Sequence, residues 1–261
     1  MTIPLPNWLD LTNKRGLVVG IANEHSIAYG CARVLRELGA EVAVTYLNAK
    51  AEPHVRPLAE ALRCPIILPL DVEAAGEMEA VFSTLAERWG CIDFLVHAIA
   101  FAPKDCLHER VLDCRLANFQ RAIDVSCHSF VRMAKLAEPL MNAGGSLITM
   151  SYYGAEKAMP QYKVMGPVKA ALESFVRYLA EELAAPGIRV YAVSPGPMPT
   201  RAASGIPGFD ALAQAAIGRS PQHRLVDLDD VGRLTAFLVS DAAQAMTGDT
   251  LYVDGGFHIM A

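Results

Sequence analysis

The 261-residue chain has no CxxC pair among its six cysteines, at 31, 64, 91, 106, 114 and 127, and no histidine cluster joins them. That excludes a structural zinc centre, and no metal is expected. The cysteines sit mostly in apolar surroundings and read as free thiols of a reducing compartment. No apolar run approaches the ~20 residues of a membrane span, and the N-terminal MTIPLPNWLDLTNKRG lacks a signal-peptide core. A cytoplasmic protein with no membrane partner is the expectation. Charged residues make up only 20% of the chain, the net charge is −5, and the Lys and Arg are dispersed. Without a basic stripe, nucleic acid is excluded as a partner. There is no low-complexity linker and no internal repeat, so one domain over 1–261 is expected.

What the chain does have is apolar residues, 52% of it, arranged in runs. GLVVGIA (16–22), EVAVTY (41–46), PIILPLD (65–71), DFLVHAIA (93–100), SLITMSY (146–152), IRVYAVS (188–194) and TLYVDGG (250–256) read as seven strands. They are continuously apolar rather than alternating, as in a parallel sheet covered on both faces. The segments between them carry helical periodicity, with long helices expected over 118–141 and 161–184. Repeated strand–helix units predict an α/β fold: a single Rossmann-type, doubly wound domain on a seven-stranded parallel sheet, binding ligands at the C-terminal strand edges. One stretch breaks the rhythm. Residues 196–218 are rich in Gly, Pro, Ala and Ser, follow a strand, and predict a substrate lid with a short helix at FDALAQAAI.

The candidate site residues stand at the strand ends. GIANEHSIAYG (20–30) is not GxGxxG, but Gly20 stands at the turn and Ser26 is a good N-cap for a helix whose first N–H groups bind phosphate. Gly30 would let helix and strand pack closely. The same loop also fits an ordinary strand–helix turn. TYLNAK ends strand two without the acid that binds the adenosine ribose of NAD. Lys50 reads as a partner for a 2′-phosphate or as a solvated charge, so the residues alone leave the cofactor open. Asp71 and Val72 end strand three, either accepting from an adenine amino group and covering the ring, or marking the start of a helix. In HAIAFAPK (97–104) the small Ala98 and Ala100 allow a flat ring or ribose to approach, and His97 reads as a hydrogen-bonded core histidine.

In YKVMGPVKA (162–170), Tyr162 and Lys169 lie seven residues apart. On an α-helix that is about 20° short of two turns and a rise of about 10.5 Å, so both share a face with room for a nicotinamide ribose between them. The ammonium would hold the ribose hydroxyls and favour the phenolate side of the tyrosine's equilibrium.

These segments, with FAP at 101–103, SPGPMPTRAASGI at 194–206 and TGDTLYVDGGFHIM near the C-terminus, resemble the divergent short-chain dehydrogenases/reductases. More narrowly, from about residue 10 onward the chain resembles the bacterial enoyl-acyl carrier protein reductases of type II fatty acid synthesis. Y-x6-K is the specific element. Ordinary short-chain dehydrogenases use Y-x3-K and an NNAG stretch, whereas here Gly166 stands four after Tyr162 and strand four ends HAIA.

The resemblance implies that Gly20, Ala22, Ser26 and Ile27 line the pyrophosphate and that Asp71 and Val72 hold adenine. Ala98 and Ala100 border the nicotinamide, Met198 its amide, and Thr200 the diphosphate or carboxamide region. Tyr162 is then the catalytic phenol, Lys169 the ribose-binding lysine and Tyr152 a second tyrosine at the acyl pocket. NADH rather than NADPH, an enoyl thioester on acyl carrier protein, and a homotetramer are likewise implied. Ala100, Leu47, Pro167, Pro199 and Pro207 depart from the family pattern; Pro167 is expected in the second turn of the catalytic helix, where it would remove an N–H. A carbonyl-reducing enzyme of the same class and a nicotinamide-binding sensor without turnover are the alternatives.

Overall fold

Seven strands pair in parallel as one sheet in the order β3-β2-β1-β4-β5-β6-β7. They are β1 Arg15–Val19, β2 Glu41–Tyr46, β3 Ile66–Pro69, β4 Ile92–His97, β5 Met141–Met150, β6 Arg189–Pro195 and β7 Thr250–Val253. The computed structural model describes residues 9–159, 161–200, 203 and 208–260. The strand order reverses between β1 and β4, which opens a crevice at their C-terminal ends.

Successive side chains of each strand feed opposite faces. Leu17 and Val19 of β1 enter one core, under helices α3 Glu77–Trp89, α6 Ser129–Ala137 and α7 Met165–Glu182. Val18 enters the other, under α1 Ile27–Glu37, α2 Glu52–Ala61 and α9 Leu228–Val239. Covered on both faces, the strands require apolar residues throughout, and all seven residues of β6 are buried.

Several expected boundaries move. Strand one ends at Val19 because Gly20 turns the chain at φ 107°, and a Cβ there would lie 2.3 Å from the Ala98 carbonyl oxygen. Gly30 serves a helix–helix contact instead of a helix–strand one: its Cβ would meet Leu228 at 2.6 Å, and Gly232 on the facing helix likewise abuts the Gly30 carbonyl. That places α1 against α9, whose start is fixed by reciprocal bonds. Asp227 accepts from the Asp230 N–H at 2.8 Å and Asp230 from the Asp227 N–H at 3.1 Å, a capping box.

The long helix expected over 118–141 is α5 Leu116–Ile123 and α6, joined by a π-helical turn at Asp124–His128. Ahead of it lie α4 Lys104–His108 and a 3-10 turn at Val111–Asp113. The helix expected within the lid is α8, Phe209–Arg219. Lid residues 201, 202 and 204–207, Pro207 among them, and Pro160 lie outside the described residues.

Candidate active site

The catalytic helix begins later than the spacing predicts. α7 starts at Met165, so Tyr162 sits in the turn before it, with its N–H bonded to the Met159 carbonyl at 2.9 Å. Lys163, next to it, is left-handed at φ 47°. A non-glycine residue in that region is uncommon and costs energy that the surroundings must offset. Pro167 is the third residue of α7 and not in its second turn. An N–H at that place has no partner within the helix, so the proline removes nothing.

Tyr162 is held by ring packing. Its ring meets Tyr152 edge-on, centroids 4.7 Å apart at 62°. Gly154 makes the space: a Cβ there would lie 2.5 Å from Tyr162 Cδ1 and 3.1 Å from Tyr152 Cδ1. Gly166, where ordinary members of the class carry lysine, abuts the Gly154 carbonyl, 2.9 Å from its would-be Cβ. The tyrosine pair, the 153–155 turn and the start of α7 therefore form one packed unit.

Lys169 is 3% exposed and donates from Nζ to the Met150 carbonyl at 2.6 Å. Burial lowers its ammonium to about 8. An ammonium has three donors, so two remain for ligand hydroxyls. One turn on, the buried Glu173 accepts from Ser151 Oγ; burial raises its carboxyl. Neither Ser151 nor Glu173 was expected, although Glu173 shares a face with Lys169 at i,i+4 spacing.

The phenol does not lean toward its phenolate as the sequence spacing to Lys169 suggests. Burial drives the Tyr162 hydroxyl well above the ordinary phenol range, with Tyr152 and Glu173 adding to it. Tyr162 is therefore a neutral donor. The Tyr152 hydroxyl is pushed up to about 12 by burial and then by Asp254, and is buried without a hydrogen-bond partner. His97 is fully buried between Thr149 Oγ1, 3.0 Å from Nδ1, and Ser129 Oγ, 2.8 Å from Nε2. Ser129 gives its single proton to the Val125 carbonyl, so it accepts from His97 Nε2–H. Burial, reinforced by Lys169, lowers the imidazole to about 3. His97 is a neutral core histidine, as expected.

At the crevice between β1 and β4, Gly20 faces Ala98, and the Ala98 N–H bonds the Val19 carbonyl at 3.1 Å. Ser26 does stand at the N-cap of α1, but its side chain caps nothing in the helix. Its Oγ accepts from the Ala22 and Asn23 N–H groups at 2.9 and 3.1 Å. The Ala22 N–H is thus already engaged, whereas the first-turn N–H groups of Ile27 and Ala28 have no partner within a helix.

Asp71 lies six residues before α3, too early to cap it, and accepts from the Glu73 N–H at 2.9 Å. Val72 is 4% exposed, so its side chain belongs to the core and offers a ring almost no surface; its carbonyl accepts from Arg132 at 3.0 Å. Ala98 is half-buried and Ala100 exposed. Met198 is buried in the α1–α9 core, and Thr200 Oγ1 accepts from the Ala203 N–H at 3.1 Å. Leu47 and Lys50 are exposed.

A glycine turn against a small-residue strand end, free amides at a helix start, and a tyrosine at the entrance to a helix that buries a lysine are the parts of a nicotinamide-dependent oxidoreductase of the short-chain class. They fit a dinucleotide: Lys169 retains two donors, and the first-turn amides of α1 have no side-chain cap. The family model described as "Enoyl-(Acyl carrier protein) reductase" matches residues 20–258. The chain is 46% identical over 248 residues to enoyl-[acyl-carrier-protein] reductase [NADH] 1 of Rhizobium meliloti, covering 95% of this chain and 91% of that protein. The crystal structure of enoyl-[acyl-carrier-protein] reductase (NADH) from Aquifex aeolicus superposes with a TM-score of 0.93 at 42% identity, covering 96% of this chain and 98% of that one. The reductase from Anaplasma phagocytophilum, solved in complex with NAD, gives 0.93 at 45% identity with 96% of each chain covered. The chain belongs to the enoyl-acyl carrier protein reductase family.

Proposed function

We propose that this chain, an oxidoreductase of fatty acid biosynthesis by family, reduces a trans-2-enoyl thioester carried on acyl carrier protein. NADH, when bound, supplies the hydride to C3 of the substrate. The first-turn amides of α1, with Gly20 opening the way, hold its diphosphate; Asp71 meets adenine; Ala98, Ala100, Met198 and Thr200 border the nicotinamide side. Lys169 holds ribose hydroxyls with the two donors that Met150 leaves free. As C3 becomes saturated, charge builds on the thioester oxygen, and the neutral Tyr162 hydroxyl donates to it. A donor aimed where charge develops lowers the barrier. Tyr152 lines the acyl side, and residues 196–218 close over the chain and exclude water.

The whole of 1–261 works as one unit, in the cytoplasm and as a homotetramer. Among the described residues no helix is long and apolar enough to cross a membrane. Phe175 and Tyr178 of α7, 38% and 68% exposed, and Ile259 and Met260 near the C-terminus supply apolar surface for assembly. Light scattering at monomer mass would remove the tetramer from this reading.

The observation that carries the function is the packed Tyr162–Tyr152 pair at the entrance to α7, with Lys169 buried inside that helix. In a cofactor-oxidation assay, crotonyl thioester should consume NADH and acetoacetyl thioester should not. Tyr162→Phe should lower kcat on the crotonyl substrate by about 10²-fold, the effect of losing one such donor, with NADH affinity little changed. Oxidation with the acetoacetyl substrate alone, or an unimpaired Tyr162→Phe, refutes the assignment.

A further inference from the structure

Cys106 and Cys114 are eight positions apart, and the fold brings their sulfurs to 2.7 Å. A disulfide bond holds its sulfurs at about 2.05 Å. All six cysteines are free thiols, so this is an unbonded pair in direct contact. The approach is built into the backbone. Cys106 is in α4, 1% exposed and part of the core under α3 and α6; Cys114 follows the 3-10 turn, half-buried against the same core.

Their sequence neighbours are clamped together as well. Asp105 accepts from Arg115 Nη2 at 3.1 Å and from Asn118 Nδ2, so one carboxylate ties the residue before Cys106 to the residue after Cys114. The mechanism proposed above uses neither thiol, and among the described residues no group of three or more His, Cys, Asp or Glu is placed to hold a metal.

We propose that Cys106 and Cys114 are an oxidation site: a dithiol that a hydroperoxide converts to an intramolecular disulfide and a dithiol reductant restores. Cys114, the more accessible, reacts first. Its sulfur attacks a peroxide oxygen, the O–O bond breaks, and the thiol proton leaves with the departing oxygen as water, giving a sulfenic acid. The Cys106 sulfur then attacks the Cys114 sulfur. The S–S bond forms, the S–O bond breaks, and hydroxide leaves with the Cys106 proton as a second water. Two thiols and one hydrogen peroxide give one disulfide and two waters.

The ring so closed holds exposed Val111 and Leu112. It also lies just past Phe101, whose N–H and carbonyl are both held by Ser126 Oγ at 2.8 and 2.7 Å. Oxidation would therefore tether the segment that leads out of the crevice at Ala98 and Ala100.

The test uses the intact protein. After hydrogen peroxide treatment, remaining thiols are alkylated in denaturant and the chain is cut with trypsin without reductant. Trypsin cuts after Lys104, Arg110 and Arg115, so the two cysteines fall on separate peptides, DCLHER and VLDCR. The expected result is these two peptides joined by a disulfide, two fewer alkylated thiols per chain, a single-chain band on a non-reducing gel, and full reversal by dithiothreitol. Cys106→Ser should leave Cys114 trapped by a sulfenic-acid probe, and Cys114→Ser should leave Cys106 reduced at the same peroxide dose. Recovery of DCLHER and VLDCR as separate alkylated peptides, or joined to other cysteines or to a second chain, overturns the proposal. The readout is covalent, so it stands or falls apart from the enoyl reductase reading.

Discussion

Replacing Lys169 by methionine should change how stability depends on pH, by an amount that follows from its burial. The ammonium is lowered from 10.5 to about 8 in the folded chain. The unfolded chain therefore binds the proton more tightly, and stability rises with pH through this window. Well below the folded value both states are charged, and the buried ammonium costs the native state about 3 kcal/mol, at 1.36 kcal/mol per unit. Above the unfolded value the cost is gone. Between about pH 7 and about pH 9.5 the wild type should gain about 2 kcal/mol relative to Lys169→Met.

For a chain of this size that corresponds to roughly 4–8 °C in Tm. The variant also leaves the Met150 carbonyl without its donor, but that loss is the same at every pH and cancels when only the slope is compared. The assay is thermal unfolding of both proteins without cofactor, across that range. Parallel Tm curves would show that the lysine is not desolvated as the structure has it. A wild type that loses ground as pH rises would reverse the sign and refute the argument outright.

Gly154→Ala should drive its Cβ into the Tyr162 ring and move the phenol. Overpacking of this kind costs about 1–3 kcal/mol, and kcat on crotonyl thioester should fall by about 10-fold or more while the fold persists by circular dichroism. Wild-type kcat in that variant would mean that the placement of the ring is not what matters. Gly20→Ala combines a positive φ with a clash against the Ala98 carbonyl. Chemical denaturation should show a loss of about 2 kcal/mol or more, with weaker NADH binding in proportion; an unchanged midpoint would argue against the close β1–β4 approach.

The strands were legible because each is a run of β-branched and apolar residues that a doubly covered parallel sheet requires. The parallel, doubly wound character of the sheet followed from the strand–helix alternation, whereas the order of its strands was not read. The expected helix over 161–184 starts four residues too early, because its periodicity carries no mark of where the first turn begins. Pro167 marks it, since proline is tolerated in the first turn of a helix. Ser26 looked like a cap, but Asn23 and Ala22 compete for its oxygen from the other side. The phenolate expectation failed because charge proximity was weighed without burial, and no one-dimensional pattern reports how dry a side chain will be. Glu173 was readable from its spacing to Lys169 but had no motif to draw attention to it. The π-turn had no glycine or proline to announce it.

That π-turn acts as a phase shifter. In an α-helix each residue advances the side-chain direction by about 100°, so one additional residue in a turn rotates everything downstream. Ser126 lies within the turn and reaches Phe101, while Ser129 opens α6 and reaches His97. Two hydroxyls three places apart thus serve two neighbouring segments. Removing a single residue from 124–128 would leave the composition of this helix almost untouched and yet turn its second half away from His97. In this stretch the chain stores information as an angle, and its length matters as much as its letters.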